Sequence, residues 1–251
     1  MTVPSKRPAA GNSASGRSAS GRSGLLREAR LSRVALESNL DVILAACSAG
    51  DVVVDVRADA YGHGLEAMVE RVAKRGIRRF RASPGVRLPG GLVTEVGPDG
   101  NDDELAPYGF ADPAGSTRLH PVLSLVGEIL AVKRVAAGSA ISYGYTYRTQ
   151  RDSTIALVGL GYADGIPRLG SNLAHATVST KPALVAGRIA MDQFVLDLAE
   201  LPATLGDEVI IWGDARSGAP TVTEWATVAR RAPQNLTAGI GHRVERSWVD
   251  E

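Results

Sequence analysis

Gly161-Tyr162-Ala163-Asp164-Gly165-Ile166-Pro167-Arg168 is the stretch on which the reading of this chain turns. It lies in a block from Gly138 to Asp197 that holds two more short signatures. Ile141-Ser142-Tyr143-Gly144 precedes it, and Val185-Ala186-Gly187-Arg188-Ile189-Ala190-Met191-Asp192-Gln193 follows. Each sets a polar or titratable group in a glycine-containing turn beside an apolar run that reads as strand. Glycine permits close backbone approach and unusual dihedrals, and groups carried on loops by a rigid scaffold are a common arrangement for chemistry. Taken singly, a Gly-Tyr or Asp-Gly pair marks only a turn. The order and spacing of all three carry the information.

Around that block, residues 118–250 read as a β-rich domain. Runs of β-branched and aromatic residues predict strands at Val122–Val135, Thr154–Leu160, Ala183–Ile189, Phe194–Leu198, Glu208–Trp212 and Arg243–Val249. Thr221-Val222-Thr223-Glu224 has the spacing of a capping box and opens a short helix to about Arg231. The Trp225, Val228 and Ala229 face of that helix reads as core.

The first half has a different rhythm. Apolar residues from Glu28 to Ala49 recur at mostly helical spacing, Val52-Val53-Val54-Asp55-Val56 reads as a short strand, and Leu65, Met68, Val69, Val72 and Ala73 make a helical stripe over about 65–75. Gly76 stands where a helix-ending residue belongs, and Arg79-Phe80-Arg81-Ala82 is a second strand. Strand, helix and strand in this order make one βαβ unit, the repeat of a TIM barrel. Residues 83–117 are dense in Gly, Pro and Asp and read as a linker. A complete eightfold barrel takes on the order of 200 residues or more, so the space between Glu28 and Ser83 leaves most of one out. Residues 1–24, with Ser-Gly-Arg-Ser recurring, read as a disordered tail with no apolar signal region. The expected fold is therefore α/β plus all-β: tail 1–24, partial barrel fragment 25–82, linker 83–117 and β domain 118–251.

Composition narrows the function classes. In 251 residues, 44% are hydrophobic and 22% charged, the mix of a soluble globular protein, and the net charge of +1 gives no global field toward nucleic acid or an anionic membrane. No apolar run approaches the roughly 20 residues of a membrane span. The lone Cys47, read as a buried helix residue, can make no intrachain disulfide, and His63, His120, His175 and His242 share no metal-ligand spacing. A cytoplasmic protein without a metal is the simplest reading.

The three signatures resemble the C-terminal domain of alanine racemase, an enzyme family that uses pyridoxal phosphate (PLP). The first half adds Arg57-Ala58-Asp59-Ala60-Tyr61-Gly62-His63-Gly64. It is similar to the family's PLP-lysine signature, Lys-Ala-Asp-Ala-Tyr-Gly-His-Gly, at every position but the lysine, where Arg57 stands. The resemblance implies PLP-dependent interconversion of L- and D-alanine for peptidoglycan. It also implies a homodimer in which a tyrosine of one subunit serves the barrel of the other. On that resemblance Tyr143 matches the catalytic tyrosine and Tyr162 a tyrosine at the active-site entry. Met191 matches a residue whose backbone N–H meets the substrate carboxylate, Tyr61 a phosphate-contacting tyrosine, and Asn39 an asparagine in the helix before the first barrel strand. His63 reads as structural, and Asp164 and Asp192 as groups that orient turns or dimer contacts.

The departures bear on the chemistry. Arg57 marks the position of the lost PLP lysine. Its guanidinium stays protonated, with a pKa above about 12, and cannot form an imine; one of the two expected bases goes with it. The family's arginine at the pyridine nitrogen falls on Ser83 in one alignment and on Asp102 in another, and a phosphate-contacting tyrosine falls on Gln234. Two readings stand: an alanine racemase homologue, PLP-dependent by descent and interconverting L- and D-alanine, or a non-catalytic product, either a decayed gene or an interaction module whose β domain docks on a partner barrel. The lost lysine and the missing barrel favour the second for this chain's chemistry.

Overall fold

A computed structural model describes residues 24–95, 102–110 and 118–250. The expected disordered tail, but for Gly24, and residues 96–101 and 111–117 of the expected linker lie outside the described residues. Strand β1 (Arg27–Ser32) and helix α1 (Arg33–Ala46) come first, followed by strand β2 (Val53–Asp55), a left-handed turn α2 (Arg57–Gly62), helix α3 (Leu65–Lys74) and strands β3 (Arg79–Arg81) and β4 (Val93–Glu95). A 3₁₀ turn, Asp102–Tyr108, leads into β5 (Leu123–Val135), the hairpin β6 (Ala140–Ile141) and β7 (Tyr147–Arg148), and β8 (Ser153–Val158). Strands β9 (His175–Val178), β10 (Lys181–Val185), β11 (Phe194–Ala199) and β12 (Glu208–Trp212) precede helices α4 (Val222–Ala229) and α5 (Pro233–Ala238), and β13 (Glu245–Val249) ends the series.

Strands β2, β3 and β4 pair in parallel. Helix α3 buries Met68, Val69 and Val72, the stripe its spacing predicts. This is the partial α/β barrel. The large sheet runs β12-β9-β10-β11-β8-β5-β1-β13, and β12 also pairs with β5, so the strands from β5 through β12 to β8 close on themselves. Closure removes sheet edges, which are otherwise templates for wrong pairing. Strand β5 makes it possible by its length: Val126 lies opposite both Glu28 of β1 and Ile210 of β12, while Val132 farther along meets Ala156 of β8. Gly127 is needed at this crossing, because a Cβ there would lie 2.7 Å from the Leu160 side chain. Strand β11 shows the strict alternation of buried and half-buried residues that a one-sided sheet requires. Helix α4 starts on the capping box read from the sequence, Thr221 with Glu224. Its Trp225 is core, edge-on to Trp212 at 5.8 Å, with its indole N–H donating to the His175 carbonyl at 2.9 Å.

Three expectations are corrected. Arg27–Ser32 is strand rather than the start of a helix, and it joins the β domain's sheet between β5 and β13 instead of the α/β fragment. Ala29 and Leu31 are fully buried there, and the Ser32 hydroxyl then caps α1 by accepting from the Ala35 N–H at 3.0 Å. Cys47 is exposed, because α1 ends at Ala46 and the extended backbone of Cys47 leaves the buried face. The stretch read as linker holds β4 and the 3₁₀ turn, whose Tyr108 is buried and donates to the Asp55 carbonyl at 2.5 Å. Asn39 of α1, fully buried, donates to the carbonyls of Pro107 and His120 and accepts from the His120 N–H. It thereby fastens the helix to the segment entering the β domain.

Candidate functional site

The three glycine-containing signatures meet at one rim of the β domain, and the glycines explain why. A Cβ on Gly161 would lie 2.3 Å from the Met191 carbonyl oxygen, and one on Gly187 would lie 2.5 Å from Ser142 Cβ. Backbone bonds then join the turns: the Tyr162 N–H donates to the Ala190 carbonyl and the Ala163 N–H to that of Met191, each at 3.0 Å. The Ser142 hydroxyl donates to the Arg188 carbonyl at 2.8 Å. Beneath the rim, Asp164 is fully buried. It accepts from the Gly161 N–H at 2.8 Å and from Arg243 Nε at 3.0 Å, and Arg243 also reaches Asp192 at 2.7 Å. Asp164 thus holds its own turn, and Asp192 is joined to it through Arg243.

On this rim Tyr143, Tyr162 and Met191 are all exposed. Arg168 Nη2 donates to the Tyr143 hydroxyl at 3.0 Å and its guanidinium lies 5.4 Å from the Tyr162 ring, while that of Arg188 lies 5.7 Å from the Tyr143 ring. Two cations therefore flank the phenol. Arg168 and Arg188 were visible inside the signatures, yet nothing in the sequence said they converge on Tyr143. Behind the hairpin, Asp197 accepts from the Ser153 hydroxyl and, at 2.7 Å, from Tyr147. Burial alone would raise the Asp197 pKa, but these hydrogen bonds outweigh it and hold the group below the usual range. Burial and Asp197 push the Tyr147 phenol up to about 12, so it remains a donor.

Arg57 and Tyr61 form a second cluster, on the left-handed turn after β2. Ala58, Asp59, Ala60 and Tyr61 have φ between 50° and 57°, a conformation that disfavours L-residues by about 1–2 kcal/mol each. The turn is held from beneath by Asp55, whose side chain is 1% exposed. Its carboxylate accepts from Arg57 Nε at 3.0 Å to both oxygens, from Arg57 Nη2 at 2.6 Å, from the Arg57 backbone N–H at 3.0 Å and from the Tyr61 hydroxyl at 2.7 Å. Burial works to raise the Asp55 pKa, and the Arg57 and Tyr61 bonds overcome it and keep the group ionised. Burial and Asp55 push Tyr61 up to about 12. Tyr61 packs edge-on to Tyr108 and Phe110. His63 is buried beside them, with burial holding its pKa down to about 4. Asp55 was passed over at the level of sequence, although a lone acid inside the apolar run Val52–Val56 was a signal.

These residues do not fit PLP as an imine-bound cofactor. The side chain at position 57 is a guanidinium engaged by a buried carboxylate, and the Tyr61 hydroxyl is turned to the same carboxylate. Gly62 presses on α5, where a Cβ would lie 2.2 Å from the Thr237 carbonyl oxygen.

Fold and site together define a partial α/β barrel joined to a closed β domain whose rim carries an arginine-flanked tyrosine. The pattern for "Alanine racemase, C-terminal domain" matches residues 122–248. An alanine racemase of Salinispora arenicola is 36% identical over 211 residues, covering 78% of this chain and 55% of that protein. The chain thus spans about half the length of the curated relatives it matches. Among solved structures, alanine racemase from D-cycloserine-producing Streptomyces lavendulae aligns with a TM-score of 0.78 at 22% identity, over 91% of this chain and 98% of that one. Alanine racemase from Bartonella henselae, solved with covalently bound pyridoxal phosphate, aligns at 0.76 and 16% identity, over 90% and 100%. At such identity the structural likeness speaks for the fold alone. The chain belongs to the alanine racemase family, through that family's C-terminal domain.

Proposed function

We propose that this chain is a non-racemising member of the family. The family reaction, PLP-dependent interconversion of L- and D-alanine feeding peptidoglycan, is its descent rather than its activity. One observation supports this reading: Arg57, which stands where the signature it resembles has the imine-forming lysine, is paired with buried Asp55. A guanidinium is neither a nucleophile nor a base at any ordinary pH. The test is direct. Purified protein incubated with PLP should show no visible imine band and no D-alanine from L-alanine in a coupled assay. A stoichiometric band, with turnover lost in Tyr143→Phe, would overturn the reading.

A second role rests on the rim. Tyr143, Tyr145, Leu169, Leu173 and Met191 are exposed on its neighbouring loops, and clustered exposed apolar groups mark interaction surfaces. In this reading the β domain docks on the barrel of another family chain, a second copy included, with Tyr143 at or near the interface. A cytoplasmic location and the absence of nucleic-acid partners go with it. Sedimentation should give a dimer of this chain, or a complex with a full-length family member, and a monomer in both experiments would remove the role.

A further inference from the structure

We propose that Asp55 is a second block on imine chemistry at position 57, so that a lysine restored there would be held as an ammonium ion. The inference rests on the reading that position 57 is the imine position, and it concerns this chain's own residues.

The geometry is one of reach. Asp55 ends β2 with its carboxylate buried beneath the turn, and the Arg57 backbone N–H is already bonded to Asp55 Oδ1 at 3.0 Å. A side chain at position 57 therefore starts beside the carboxylate. Along that side chain, Nε lies 3.0 Å from both oxygens and Nη2 lies 2.6 Å from Oδ2. A lysine Nζ sits one bond beyond the place of Nε and one short of Nη2, between two atoms that both touch Asp55. The replaced guanidinium would thus hand its ion pair to the ammonium.

The surrounding charges leave Asp55 as the nearest opposite one. On β3, Arg81 is paired with Glu104 of the 3₁₀ turn at 2.6 Å and 2.9 Å. On the turn itself, Tyr61 is a neutral phenol donating to Asp55, and Asp59 accepts from the Leu65 N–H at 2.8 Å. Tyr108 donates to the Asp55 carbonyl, and His63 is buried as the neutral ring. An opposite charge within hydrogen-bond distance favours the ionised form of an amine.

Imine formation needs the neutral form. The amine lone pair makes the C–N bond to an aldehyde carbon, the C–O bond breaks, and the oxygen leaves as water with both amine protons. An ammonium has no lone pair to give. Each unit by which Asp55 raises the lysine pKa removes about tenfold of the reactive amine at neutral pH. Reverting Arg57 alone to lysine therefore restores no imine.

The test uses the full chain as Arg57→Lys and as Asp55→Asn/Arg57→Lys, where asparagine keeps an acceptor for Tyr61 but carries no charge. The pH dependence of acetylation by acetic anhydride, read by peptide mass spectrometry, gives a titration midpoint for the introduced lysine without any cofactor, with exposed Lys133 as internal reference. In Arg57→Lys the midpoint of the introduced amine should lie a unit or more above that of Lys133, and in the double variant it should fall below it. Trapping with PLP and borohydride should then label position 57 at least tenfold more in the double variant than in the single one. A midpoint for the introduced lysine of Arg57→Lys at or below that of Lys133 overturns the proposal, as does equal trapping in the two variants. If the double variant fails to fold, the single variant's midpoint decides. Midpoints as expected with no trapping in either variant support the Asp55 block and count against position 57 as the imine position.

Discussion

Replacing Asp164 by alanine should undo the joint beneath the rim, and the size of the effect follows from what the carboxylate holds. It is fully buried and bonded to the Gly161 N–H at 2.8 Å and to Arg243 at 2.9 Å and 3.0 Å, with Arg27 of β1 at 3.7 Å. Removing one member of a buried pair lowers stability by about 3–5 kcal/mol, and an orphaned buried N–H by about 1–3 kcal/mol. Arg243 is 42% exposed and keeps Asp192, so much of its charge is resolvated. We take about 3 kcal/mol as the net loss. For a chain of this size each kcal/mol moves the melting temperature by about 2–4 °C, giving a drop of about 6–12 °C. Asp164→Asn retains an acceptor for Gly161 and loses only the charge, for about 1–2 kcal/mol. Thermal unfolding followed by circular dichroism measures both. An alanine variant melting within about 2 °C of the parent, or Asn and Ala variants that coincide, would refute the account of Asp164 as the tie.

Two further outcomes are expected. His63, with its pKa held near 4 by burial against the ordinary value of 6.5, excludes a proton that the unfolded chain takes up. Stability should therefore fall as pH drops from about 6.5 to about 4, by about 3 kcal/mol in all, and level off below that. A pH series of melts on His63→Gln, which has no ring to protonate, should lack that limb. Asn39→Ala strands the His120 N–H and the carbonyls of Pro107 and His120. It should lower stability by about 3 kcal/mol in denaturant titration, and an unchanged midpoint would sink the assignment of Asn39 as a fastener.

Much of the β domain was legible because its information is local. Glu208–Trp212 forms as read, Thr221 and Glu224 cap α4, and the glycines of the three signatures mark the contacts they allow. The misreadings fall where partners are distant in sequence. Strand β1 is stabilised by Leu123–Gly127 and Glu245–Val249, which no window around Arg27 contains, and its apolar residues run on into those of α1 at helical spacing. The barrel closure through β12 and β5 is equally invisible, since it depends on register across the chain. At the rim, Tyr143, Tyr162 and Met191 were singled out through the resemblance of their signatures to the family's. The convergence of Arg168 and Arg188 on Tyr143, and of Asp55 on Arg57, depends on side-chain directions that only the fold sets.

The placement of β1 has a consequence for how the chain is made. It lies between β5 and β13, parallel to β13, with Glu28 opposite Glu245. On the ribosome the strand emerges long before β13 exists, so its outer edge has no partner until synthesis of the domain is nearly over. The six-strand closure can form earlier, from β5 to β12, all of which precede the last helices. Among the described strands, the seam between β1 and β13 is thus the one whose second partner is made last. During that interval Ala29 and Leu31, fully buried in the finished sheet, stay available to any other unpaired strand.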